Sequence, residues 1–109
     1  MKKISLDAVA REQQEKAAGA SSGRAAETVY GGHEKSLRQT VISLTAGTEL
    51  AEHVNPGEAT VLVLAGRVDL VSPAASWEGR RGDLLVVPDS RHSLRALEDA
   101  SVLLTVVKI

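Results

Sequence analysis

Three histidines carry most of the ligating and proton-transfer potential of this 109-residue chain: His33, His53 and His92. An imidazole binds divalent metals through either ring nitrogen and exchanges a proton near neutral pH. His53 lies in GTELAEHVNPGEATVLVLAG and His92 in GDLLVVPDSRHSL; each follows a strand that starts at a glycine, and each sits beside a turn. His33 lies in YGGHEKS, next to Glu34 and Lys35, where an exposed loop residue is the simplest reading and a ligand contributed by the N-terminal segment the alternative. The chain has no cysteine, which excludes disulfides, iron–sulfur clusters, thiolate zinc sites and thiol nucleophiles. It has no phosphate-cradling GxxxxGK or GxGxxG segment. Paired acids such as Glu98–Asp99 read as solvated turn formers.

Composition narrows the partners. Aromatic residues make up 2% of the chain, with Tyr30, Trp77 and no phenylalanine. Two rings cannot build a base-stacking platform for single-stranded nucleic acid. Thirteen basic and fourteen acidic residues are interspersed, so there is no electrostatic footprint for a duplex either. No apolar stretch reaches the length of a membrane span, and Met1 to Ala10 carries two lysines but no apolar run of the signal-peptide kind. The expected partners therefore exclude nucleic acid and membrane, and the expected compartment is the cytoplasm. Arg80, Arg81, Arg91 and Arg95 could attract an anion, but Glu78, Asp83 and Asp89 interleave with them and favour a compensated, solvated surface.

The elements that must position the histidines are strands. All but one of the leucines and all but two of the valines lie beyond residue 36, so residues 37–109 must supply the core. There the period is two: LRQTVISL, VLVLAG, RVDLVS, SWEG, DLLVVP, HSLRAL and VLLTVVK are short and rich in leucine and β-branched residues. Turn signals separate them, among them Ala46–Gly47, Asn55–Pro56–Gly57, Ala65–Gly66 and Arg81–Gly82–Asp83. Regular short strands of this kind predict a sandwich or barrel. VLVL at 61–64 and LLVV at 84–87 do not alternate, so both of their faces are expected to be covered, by a helix, a second sheet or a partner subunit. Residues 1–36 read as a helix from Ser5 to Ala18, capped by Ser5 and ended by Gly19, then a GASSG link and an edge strand at Ala26–Tyr30. The helix is too short to be stable alone and is expected to dock on the core.

With these features the chain resembles the cupin family, over residues 40 to 108. Gly47, His53 and Gly66 fall on the first cupin motif, GxxxxxHxHxxxExxxxxxG; Gly82 and Pro88 fall on the second, GxxxxxPxGxxHxxxN, with His92 one residue before its histidine. The resemblance implies a mainly β, cupin-like double-stranded β-helix or jelly-roll barrel at 37–109, preceded by the short N-terminal helix and edge segment at 1–36, all within one domain. The ligand set departs from the family. The second histidine of the first motif is Asn55, its glutamate is Ala59, and the glycine and terminal asparagine of the second motif are Ser90 and Ala96.

What the resemblance implies for function is a small-molecule pocket. His53 and His92, with Glu58 beside the family's glutamate position, would hold one divalent metal ion (iron, manganese, nickel or zinc). Strand alternation turns Glu58 the other way unless the Pro56–Gly57 turn shifts the phase by one residue. Asn55 could add a carbonyl oxygen, and Trp77 could wall the pocket, although a lone tryptophan also serves as a core cap or subunit contact. Three functions follow. The reduced ligand set favours a binding, sensory or accessory cupin over an efficient enzyme. The alternatives are a metal-dependent oxygenase or isomerase using His53, His92 and Glu58, and a structural dimerisation module whose interior is filled by leucine and valine. A homodimer is expected.

Overall fold

In the computed structural model, which describes residues 2–53 and 57–108 and all their side chains but those of Glu52 and His53, Ser5 caps the first element. Its Oγ accepts a hydrogen bond from the Ala8 N–H at 3.2 Å, satisfying one of the donors that a helix start leaves open. Helix α1 spans Leu6–Gly19, with Asp7 in its first turn and Lys16 in its last, both matched to the helix dipole. Gly19 is the last helical residue, and the extended Ala20 ends the helix.

Nine strands follow among the described residues: β1 (Arg24–Tyr30), β2 (Leu37–Leu44), β3 (Glu49–His53), β4 (Glu58–Ala65), β5 (Arg67–Val71), β6 (Ser76–Arg80), β7 (Leu84–Val86), β8 (His92–Ala96) and β9 (Ala100–Val107). They form two antiparallel sheets, β1-β2-β9-β4-β7 and β3-β8-β5-β6. The sheets close over one core of Leu44, Val61, Val63, Val68, Leu70, Leu85, Leu94 and Val102, with Ile42, Leu50 and Leu104 against it. This is the mainly β barrel with a short N-terminal helix that the strand pattern predicts.

The described residues before β2 pack on that fold. Strand β1 is the edge of the larger sheet, and α1 lies across the sheet's outer face. There Ala10, Val41 and Leu103 form a second core, joined by Leu6, Val9, Leu62 and Leu64. Strand β4 is thus covered on both faces, as VLVL requires. Strand β7 is not: Leu85 is buried, but Leu84 and Val86 are 59% and 64% exposed. Helix α1 packs mainly on β1 and β2, with smaller contacts to β9 and β4, and the outer face of β7 stays bare in the single chain.

Two glycines sit where a side chain would be crowded or strained. Gly66 joins β4 to β5 with φ +73°, and a Cβ there would run into the Asp99 carbonyl. Gly79 on β6 faces the core, where a Cβ would meet Leu85 and Val63 at 3.0 and 3.1 Å. At the same end of the barrel as Gly66, Arg67 bridges Glu98 at 3.1 Å and Glu78 at 2.7 Å. The hydrogen bond to Glu98 and the charge of Glu78 raise the Arg67 pKa above its ordinary value. These groups are well hydrated, so the bridges tie strands together more than they stabilise them. No described helix is long and apolar enough to cross a membrane.

Candidate functional site at the histidine end of the barrel

His53 is the last residue of β3 and His92 the first of β8, and the two are direct register partners. A register shift between Leu50 and His53 allows both Leu50–Leu94 and His53–His92 to pair. The backbone therefore brings together two histidines that are far apart in sequence.

His92 is 4% exposed. Its Nδ1 lies 2.9 Å from the Ser90 carbonyl oxygen, which can only accept, so Nδ1 carries the proton. A backbone carbonyl that orients an imidazole through its other nitrogen is the usual arrangement behind a metal-ligating or ligand-binding histidine.

The inner wall below the histidines follows from the registers. Leu50, Leu94, Leu70 and Trp77 form one row across β3, β8, β5 and β6. Leu94 and Leu70 are buried, whereas Trp77 is 52% exposed at the end of the row. Trp77, Leu70, Ser72, Ala75 and Pro88 line a cleft of about 10 Å³, room for no more than one water. Below this row the barrel is filled by leucine, valine and alanine.

The other sequence-predicted residues lie elsewhere. Glu58 is exposed and alternates along β4 with Ala59, Val61 and Val63, which are buried. In the described part of β4 it is Ala59, the family's glutamate position, that shares a face with the core residues. Glu58 borders a cavity of about 510 Å³ with Gly57, Thr60, Val86 and Asp89. Asn55 lies outside the described residues. His33 is exposed in a turn, as are Arg80, Arg81, Arg91 and Arg95 at the surface. Among the described residues, no three His, Cys, Asp or Glu side chains are grouped as a metal site.

Two features escape the sequence reading. GASSG at 19–23 spells GxSxG, but it joins a helix to a strand, the reverse of the strand-to-helix turn that a nucleophile elbow needs. Arg38 shares a face of β2 with Ile42 and Leu44, which pack in the barrel core. In LRQTVISL both alternating sets mix polar and apolar residues, so the inward phase is not readable from the segment alone.

Comparison with solved structures decides the family. An RmlC-like cupin protein from Desulfovibrio desulfuricans is 30% identical in sequence over 77% of this chain and 81% of that one, with a TM-score of 0.67. This chain belongs to the cupin superfamily. A conserved protein of unknown function from Streptococcus pyogenes is also 30% identical to this cupin, over 83% of this chain and 78% of that one, with a TM-score of 0.73. A salicylate 1,2-dioxygenase from Pseudaminobacter salicylatoxidans shares the fold at a TM-score of 0.76, with 21% identity over 92% of this cupin and 33% of the larger chain. No protein-family model matches the sequence. A search of curated proteins likewise finds no match.

Proposed function

We propose that this cupin binds a small molecule at the histidine end of its barrel and does so as a binding or accessory protein, without turnover. The observation that carries the reading is the pairing of His53 with His92, together with the burial and carbonyl anchoring of His92. A buried polar side chain of fixed orientation above an apolar row is the make-up of a small-molecule site, where the apolar row suits a ligand's hydrocarbon part. Ala59 at the family's glutamate position and Asn55 at its second histidine support binding over metal-dependent turnover. The packed lower half limits the ligand to the mouth.

A second reading is favoured by the orientation of His92. With Nδ1 on the Ser90 carbonyl, Nε2 could ligate a divalent ion together with His53. Two imidazoles alone hold such an ion weakly, and strong sites use three or four protein ligands. Glu58 could complete the set only if the phase of β4 changed at its start.

Titration calorimetry with small organic acids, and separately with zinc, nickel, manganese and iron(II), tests both readings. Saturable binding of an organic ligand that is lost in His92→Ala supports the first. Metal binding near one ion per chain, lost in the same variant, supports the second. Neither response in the wild-type protein overturns both and leaves the structural-module reading.

We further propose that the bare outer face of the larger sheet is covered by a second copy of this chain. Leu84, Val86, Val107, Leu37 and Tyr30 are all substantially exposed there, around the edge of the patch that α1 covers. Leu84 and Val86 lie together on β7, whereas Thr60, Thr105 and Gln39 stand in one row between Val86 and Tyr30, so the apolar surface offered to a partner is centred on β7.

A further inference from the structure

The proposed ligand site is bounded on the larger sheet by a cation. The registers place Ala59, Val106 and Arg38 in one row across β4, β9 and β2. This row lies at the start of β4, the end to which β3 delivers His53. Arg38 alternates with Gln39 and shares the inward face with Thr40, Ile42 and Leu44, of which Leu44 is buried and Ile42 packs in the core. Arg38 itself is half-buried. Among the described residues it has no hydrogen-bonding or ion-pairing partner; the ion pairs there belong to Lys16 and Arg67.

A partly desolvated guanidinium without a counter-ion is costly unless something pairs with it. Among the described residues the neighbouring inward positions supply no acid: Thr40 and Thr28 bond each other at 3.2 Å, and Ala59 and Val106 are apolar. From these observations we infer that Arg38 is a specificity-determining residue that pairs with a carboxylate of the small molecule held at the histidine end. The inference rests on the binding reading above and gives it a ligand class. Arginine's planar fork matches a carboxylate in a two-bond pair. One guanidinium balances one negative charge, which suits a monocarboxylate better than a phosphate dianion. Ile42 and Leu104 on the larger sheet, and Leu50 and Trp77 on the smaller, offer apolar surface to the rest of the acid. The ligand class is thus a small monocarboxylic acid with an aliphatic or aromatic body.

The test compares matched pairs, benzoate with benzamide and hexanoate with hexanamide, by calorimetry on the wild-type protein, Arg38→Gln and Arg38→Lys. Each member of a pair has nearly the same shape, so only the charge is varied. The expected result is that an acid binds the wild-type protein more tightly than its amide by about tenfold or more, the scale of hydrogen bonds to a charged group. Arg38→Gln should erase that preference, so that acid and amide bind alike, and Arg38→Lys should keep part of it. Thermal melts of both variants check that the barrel is intact. Equal binding of acid and amide, or an acid preference that survives in Arg38→Gln, overturns the role of Arg38 and leaves the binding reading standing. No binding of either member of both pairs, with no change on His92→Ala, overturns the two together.

Discussion

Ser43 on β2 and Ser101 on β9 are register partners whose hydroxyls lie 2.6 Å apart beneath α1. The Ser43 hydroxyl also lies 3.3 Å from the Ala10 carbonyl oxygen, so one polar side chain links two strands and the helix. Both serines are almost fully buried. Ser43→Ala leaves the Ser101 hydroxyl without this partner and should cost about 1–3 kcal/mol. The double variant Ser43→Ala/Ser101→Ala should recover part of that loss, since removing both halves of a buried pair strands neither. Urea denaturation of the two single variants and the double closes the cycle; strictly additive losses would show that the pair contributes nothing as a pair.

Gly66 tests the β4–β5 turn. Its positive φ and the nearby Asp99 carbonyl leave no room for a side chain. Gly66→Val should lower stability by at least about 2 kcal/mol, through backbone strain and steric overlap together. Gly47 is the control: φ is +86°, but nothing lies within 4 Å of the position a methyl group would take, so Gly47→Ala should cost only the strain, about 1 kcal/mol. Equal melting temperatures for wild type and Gly66→Val would remove this turn from the fold.

His92 should matter to the fold as well as to binding. Its ring is buried and bonded to the Ser90 carbonyl, so His92→Ala should lower the denaturation free energy by about 1–3 kcal/mol. His33→Ala, at an exposed turn, should leave the midpoint where it is. A His92→Ala protein as stable as wild type would mean that water replaces the ring without cost.

The outer face of β7 gives a prediction about assembly. Light scattering behind size exclusion should show wild-type dimers, and Leu84→Lys or Val86→Lys should shift the protein to monomers without changing its circular dichroism. Both positions are exposed in the single chain, so neither lysine disturbs the core. A monomeric wild-type protein at micromolar concentration would end the dimer reading.

Much of the architecture is legible residue by residue, because it rests on near-neighbour sterics. Ser5 ahead of Leu6, Val9, Ala10 and Ala17 specifies a capped helix with one apolar face, and the helix forms there. The period of two beyond Leu37, broken at Gly47, Gly66 and Gly82, specifies short strands and turns, and all three glycines have positive φ. The glycine and proline spacing also points to the cupin barrel.

What a strand's neighbours are is a different matter. VLVL and LLVV look alike in sequence, yet α1 covers the outer face of the first and leaves that of the second bare. Arg38 and Gln39 are equally polar, and it takes the packing of Ile42 and Leu44 between the sheets to settle that Arg38 shares the inward face. Glu58 and Ala59 pose the same problem at the start of β4, where burial of Ala59, Val61 and Val63 sets the phase. Above all, nothing local to either segment pairs His53 with His92. The helix, the strand period and the turns could be read from the chain because each depends on a residue's own backbone and its near neighbours. Which strands lie side by side, and which face of each looks inward, emerged with the folded barrel, because that choice minimises exposed apolar surface over all the strands at once.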